Sequence, residues 1–192
     1  MLKFEDNPPA ISIGSAASVC ETPGRWWVGH TKARFEKSFA FDLLGRGIHY
    51  FLPLLERVRL SGGRKRRVMI PLFQSYVFFC GEEADRCAAL ATGRLCQVIP
   101  VRDQARFVAE IAAVEQAIRS GAALTPFMGI AVGRPCRITG GALENLCGTL
   151  VQHRGSTAQV ALGVKMLGQG ALVEIDAALL EPAEELEAAT IA

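Results

Sequence analysis

The stretch Arg64 to Cys80, RKRRVMIPLFQSYVFFC, constrains this chain more than any other. Four consecutive basic residues run through Met69 and Pro71 into an aromatic segment of high strand propensity. Side chains of a strand alternate between its two faces. Period two therefore puts Phe73 and Phe79 on one face and Tyr76 and Phe78 on the other. With aromatic rings on both faces, such a strand is either buried on both sides or covered by a partner on one. Gly62-Gly63 is a turn signal, and Arg57 to Leu60 before it reads as a strand. The pattern predicts a β-hairpin with a basic tip that feeds the central strand of a sheet.

Length and charge add limits. The 192 residues are half apolar and 21% charged, which fits one folded domain or two small ones. The net charge is +2, but Arg25 to Arg119 carries 16 basic and 9 acidic side chains, and both flanks are acidic. This imbalance points to a polyanion or an acidic protein surface near the first half. Cys20, Cys80, Cys87, Cys96, Cys136 and Cys147 show no CxxC or Cys/His metal spacing and read as small reduced hydrophobes. His30, His49 and His153 are isolated, and no nucleophile motif accompanies them, so no catalytic residue, metal or cofactor is assigned. The glycines before Arg64-Lys65 lack the spacing of a phosphate loop. No run reaches the roughly 18 apolar residues of a membrane helix, and the first residues lack a signal-peptide pattern, so a cytoplasmic, membrane-free protein is expected.

Read in order, residues 1–24 are expected to be a flexible tail. Arg25 to Thr31 is a strand, and Lys32 to Leu44 has helical spacing closed by Gly45 and Gly47. Ile48 to Leu54 is a strand leading into the basic hairpin. Glu82 to Thr92 and Gln104 to Ile118 are helices, the second capped by Asp103, and Leu95 to Val101 is a strand between them. The fold class is α+β: a four-stranded antiparallel sheet with flanking helices over 25–119. Residues 120–129 have linker composition. Residues 130–182 alternate short strands with glycine-rich turns, as in a small all-β barrel, with Gly141 and Gly148 as turn glycines. Residues 183–192 form an acidic tail.

Trp26-Trp27-Val28 with Phe35-Glu36, then Tyr50-Phe51-Leu52-Pro53, then Pro71 to Phe78 resemble the N-terminal domain of NusG-type transcription elongation factors. Val132-Gly133-Arg134, Arg137-Ile138, the Gly141 to Gly148 turn and Leu167-Gly168 before Val173 to Asp176 resemble the SH3-like KOW domain of the same family. The resemblance covers about Arg25 to Pro182. It implies a non-enzymatic factor whose N-terminal domain binds the clamp helices of RNA polymerase through an aromatic patch and bridges the nucleic-acid cleft. It also implies a change in pausing or termination, and a KOW domain that recruits a further partner such as Rho or a small-subunit ribosomal protein.

On that resemblance, Tyr50, Phe73, Tyr76 and Phe78 are assigned to the polymerase patch. Arg64, Lys65, Arg66 and Arg67 are assigned to nucleic acid (upstream or non-template DNA) or to an acidic polymerase surface, since basic side chains add salt-sensitive contacts to phosphates. The family's Gly-Pro-Phe turn is Gly141-Ala142-Leu143 here, and its later Gly-Arg is Gly168-Gln169. These departures favour a specialised, RfaH-like antitermination paralogue over the general factor. The alternative is an RNA- or ribosome-binding KOW protein, which should carry its basic charge in the second half rather than the first.

Overall fold

In the computed structural model, which describes residues 6–61, 63–128 and 133–183, the chain divides into two units, Met1–Arg102 and Asp103–Ala192. The first unit contains strands β1 (Ile11–Ser12), β2 (Arg25–Thr31), β3 (His49–Phe51), β4 (Leu54–Ser61), β5 (Arg64–Pro71), β6 (Tyr76–Gly81) and β7 (Leu95–Pro100). Its helices are α1 (Glu36–Gly45) and α2 (Glu83–Leu90). One sheet has the order β1-β3-β6-β2-β7, with every neighbour antiparallel. The aromatic strand β6 is therefore central, as expected.

Packing on one face of this sheet follows from apolar spacing in α1. Phe39, Ala40 and Leu43 bury against Trp27, Tyr50, Val77 and Phe79. Phe39 meets the Phe79 ring edge-on at 5.9 Å, and Trp27 stacks on Phe79 at 5.5 Å. α2 begins with a reciprocal capping box in which Glu82 and Asp85 each satisfy the other's backbone amide.

Two expectations for this unit fail. The sheet has five strands rather than four, because residues 6–24 are not a free tail. Ile11 pairs with Phe51 and Ser12 with Tyr50. Leu52 N–H donates to the Ala10 carbonyl at 2.7 Å, and Val19 is fully buried. The physical reason is edge protection: without β1, β3 would expose a row of unpaired backbone groups. A two-residue strand leaves no periodicity to read. Second, β4 and β5 form a separate two-stranded ribbon outside the sheet. Pro53 lacks a ladder donor and separates β3 from β4. Its carbonyl instead accepts from Leu72 N–H at 2.8 Å.

The second unit contains α3 (Gln104–Arg119) and strands β8 (Thr125–Met128), β9 (Arg134–Ile138), β10 (Cys147–Arg154), β11 (Thr157–Val164), β12 (Gln169–Asp176) and β13 (Leu180–Pro182). Asp103 caps α3 by accepting from Arg106 N–H at 3.0 Å. The helix stripe Phe107, Ile111 and Val114 is buried, and α3 packs on β11. The expected boundary after Arg119 thus differs from the division at Arg102–Asp103, which puts α3 in the second unit. The expected linker 120–129 contains β8, which pairs with β12 from Thr125↔Leu172 to Met128↔Gln169. Its turn-like composition conceals a short strand.

The sheet order is β13-β9-β10-β11-β12-β8, with β13 and β8 at its ends. Gly141 has φ +81° and opens a short helical turn, in line with a turn glycine. Gly148 does not have that role. It lies within β10 opposite Cys136, and a Cβ there would meet the Val160 side chain at 2.5 Å and the Ala161 carbonyl at 2.9 Å. It is required by close strand packing. Residues 1–5 and 129–132, and the acidic tail from residue 184, lie outside the described residues.

Candidate nucleic-acid interface

The β4–β5 ribbon is built from two eight-residue strands in continuous register, from Leu54↔Pro71 to Ser61↔Arg64. Gly63 has φ +74° in the two-residue turn, a conformation that only glycine adopts freely; Gly62 lies outside the described residues. Alternation in this register sorts the side chains into two faces. One face carries the cross-strand pairs Arg57↔Val68 and Arg59↔Arg66, together with Arg64 at the turn. The other carries Glu56↔Met69, Val58↔Arg67 and Leu60↔Lys65.

The basic run Arg64, Lys65, Arg66 and Arg67 is exposed, as expected, but it does not act as one block. Arg64 and Arg66 share a face, while Lys65 and Arg67 point the other way. Arg67 is paired with Glu56 at 3.2 Å. Among the described residues no ion pair is formed by Arg57, Arg59, Arg64 or Arg66. Arg57 and Arg59 were not singled out from the sequence. The alternation Glu56-Arg57-Val58-Arg59-Leu60 was the available signal. Val58 and Leu60, 61% and 76% exposed, project from the opposite face.

The root of the ribbon is held by α1. Lys37 Nζ donates to the Met69 carbonyl at 2.6 Å. Burial lowers the Lys37 pKa, and the neighbouring Glu36 carboxylate opposes that shift. The buried Glu36 accepts from Ser75 N–H at 2.8 Å, and the Ser75 carbonyl accepts from Thr31 N–H at 2.8 Å. Ser75 has φ +65°, which is uncommon for a residue with a side chain. Glu36 thus fixes the turn that joins the ribbon to β6. Its role is not visible in the sequence, because partner and carboxylate are 39 residues apart.

The four aromatic residues assigned to a polymerase patch do not form one exposed surface. Tyr50 is buried on the α1 face, and its hydroxyl donates to the Pro9 carbonyl at 3.0 Å. Burial pushes its pKa up to about 12. Phe73 and Phe78 are also buried, and their rings meet at 5.0 Å. Phe73 therefore sides with Phe78 and not with Phe79. The turn at Ser75 interrupts the extended backbone, so period-two counting across residues 73–76 fails. Only Tyr76 of the four is partly accessible, and it stacks on His30 at 5.0 Å. Tyr50, Phe73 and Phe78 are core residues.

Among the described residues no group of three or more His, Cys, Asp or Glu side chains is placed to hold a metal ion. Among the same residues no helix is long and apolar enough to cross a membrane. Cys80 is buried, donates to the Pro23 carbonyl, and has its pKa pushed up to about 12 by that burial.

The family model NusG, described as transcription termination factor nusG, matches residues 24–125, more than half of the chain. The protein belongs to the NusG family of transcription factors. Its matched region begins where β2 begins, so β1 and the segment before it lie outside the match. Among solved structures, one described as domain interaction in Thermotoga maritima NusG is 16% identical over 84% of this chain and 98% of that chain, with a TM-score of 0.42. The MjSpt4:Spt5 complex in conformation B is 11% identical over 83% of this chain and 97% of that chain, with a TM-score of 0.25. No match is found among curated proteins.

Proposed function

We propose that this protein is a transcription elongation factor that binds the clamp helices of RNA polymerase, bridges the nucleic-acid cleft and alters pausing or termination. The observation that carries this reading is the family match across residues 24–125. The ribbon is consistent with it, because it sets exposed basic side chains apart from the rest of the first unit. Favouring the closed-clamp state requires only that the factor bind that state more tightly than the open one.

Tyr76 is the aromatic contact retained from the sequence reading. It is partly exposed, and a tyrosine ring gives large contact area at small entropic cost. The changes at Gly141-Ala142-Leu143 and Gly168-Gln169 support a specialised paralogue, and the second unit is proposed to recruit a further partner such as Rho or a small-subunit ribosomal protein.

The test uses the full chain and core RNA polymerase. Wild type should bind and change the dwell time at pause sites in transcription from a purified template. Tyr76→Ala should weaken binding by about 2 kcal/mol, roughly 30-fold, while circular dichroism stays unchanged. Failure of wild type to bind core polymerase would rule this reading out. Full retention by Tyr76→Ala would remove that residue from the contact.

A further inference from the structure

We propose that the tip of the ribbon docks on an anionic lipid surface, with Val58 and Leu60 at the boundary of headgroups and acyl chains and the surrounding cations at the headgroup phosphates. This goes beyond the reading of the chain as a transcription factor and does not depend on it.

The first argument is apolar exposure. Leu60 is 76% exposed, more than any other large apolar side chain among the described residues, and Val58 is 61% exposed. At the root of the same ribbon Leu54 and Val68 are buried. Val58 and Leu60 are two residues apart and project from one face. A strand rises about 3.4 Å per residue, so Leu60 and Val58 lie about 3 and 10 Å back from Ser61, where the ladder ends. Amphipathic elements at a bilayer surface bury their apolar face about 5–10 Å deep. A ribbon that enters tip first brings both side chains within that layer.

The second argument is charge. Lys65 stands opposite Leu60 and Arg67 opposite Val58, while Arg59, Arg64 and Arg66 leave the other face. All five cations are exposed. Glu56 is the one acid from Leu54 to Pro71, and it pairs with Arg67. Long Lys and Arg side chains lay their aliphatic stems on apolar surface and carry the charge outward. Each such charge near an anionic bilayer adds to binding.

The combination selects the occupant. A phosphate backbone rewards the cations but gives Val58 and Leu60 no apolar surface to bury against. A protein seated on Val58 and Leu60 matches only the cations of that face. A headgroup layer entered tip first surrounds both faces and also takes up the aliphatic side chains. Such a contact is peripheral and needs no helix that crosses the membrane.

The test uses the full chain with vesicles of phosphatidylglycerol and phosphatidylcholine in equal parts, beside vesicles of phosphatidylcholine alone. Binding is read by co-sedimentation. Wild type should bind the anionic vesicles and not the zwitterionic ones, and added salt should weaken binding. Val58→Ser with Leu60→Ser keeps every charge and should lose at least about tenfold in affinity for the anionic vesicles. Its circular dichroism and its binding to core polymerase should match wild type. Arg64→Gln with Lys65→Gln removes one cation from each face and should lose about tenfold on the same vesicles.

Full vesicle binding by the serine variant would mean that charge alone adsorbs the chain, and would overturn the proposal. Equal binding of wild type to both kinds of vesicle would overturn it as well. A serine variant that loses polymerase affinity, with wild type bound to no vesicle, would assign this face to a protein partner instead. A wild type that binds core polymerase but no anionic vesicle would sink this proposal alone. A wild type that binds anionic vesicles but not polymerase would sink the proposed function alone.

Discussion

Arg64–Pro71 and Tyr76–Gly81 are neighbours in sequence and opposites in environment. Among the described residues β5 pairs only with β4, and it exposes its basic residues to solvent. β6 pairs on both sides and buries Val77, Phe78, Phe79 and Cys80. Both segments are strands by propensity. What separates them is the short turn between, where Glu36 holds Ser75 and the chain changes sheet. The contrast teaches that strand propensity decides local conformation, while the partners available to each strand decide its exposure. In this chain the first segment presents charge to solvent and the second supplies the core.

The largest effect that should sharpen this contrast is on folding. Phe79→Ala removes a ring packed against Trp27 and Phe39 and should cost about 3–5 kcal/mol in urea denaturation. Arg66→Ala on the ribbon should stay within about 0.5 kcal/mol of wild type. Comparable losses in the two variants would erase the distinction between core and ribbon.

Next in size is the turn. Glu36→Ala leaves the Ser75 amide without its carboxylate acceptor and should cost about 1–3 kcal/mol, again by urea denaturation. Glu36→Gln keeps an oxygen in place and should recover part of that loss. A neutral Glu36→Ala would show that the turn is held by other bonds.

Alkaline titration should separate the regions by a smaller amount. Burial raises Cys80 from 9.0 and Tyr50 from 10.0 to about 12 each. A folded pKa above the unfolded value means that this contribution is complete below pH 9 and is lost as pH rises toward 12. Thermal melting temperature should therefore fall across that window. Tyr50→Phe should flatten the part above pH 10. Arginine stays charged throughout, so ribbon variants should leave the profile unchanged. A pH profile unaltered by Tyr50→Phe would contradict the burial argument. The smallest change is expected for Glu56→Gln: its ion pair with Arg67 is exposed and worth about 0–1 kcal/mol.

Much of this fold was legible because period and punctuation agreed. β2, β6 and the two longer helices announce themselves by apolar spacing, and Asp103 marks the start of α3. The hairpin was legible from Gly62-Gly63 between two strand-like runs. Three features were not. β1 is two residues long and exists because β3 needs an edge partner, a tertiary requirement. β8 hides in linker-like composition and is fixed by pairing with β12. The side taken by Phe73 depends on the positive φ of Ser75, which a serine does not advertise. The site divided in the same way. The basic tip was visible as a run of four, but its division between two faces required the register, which also brought in Arg57 and Arg59. The aromatic residues were visible, but burial removed Tyr50, Phe73 and Phe78 from the accessible surface.

The central claim is that the ribbon is the working surface and β6 is its fixed support. The most direct measurement is amide hydrogen exchange on the full chain, alone and bound to RNA polymerase on a DNA–RNA scaffold. The account predicts that residues 76–81 are already protected in the free protein, and that new protection on binding includes residues 57–67. Fast exchange at residues 76–81 in the free protein, or an unchanged ribbon in the complex, would contradict it.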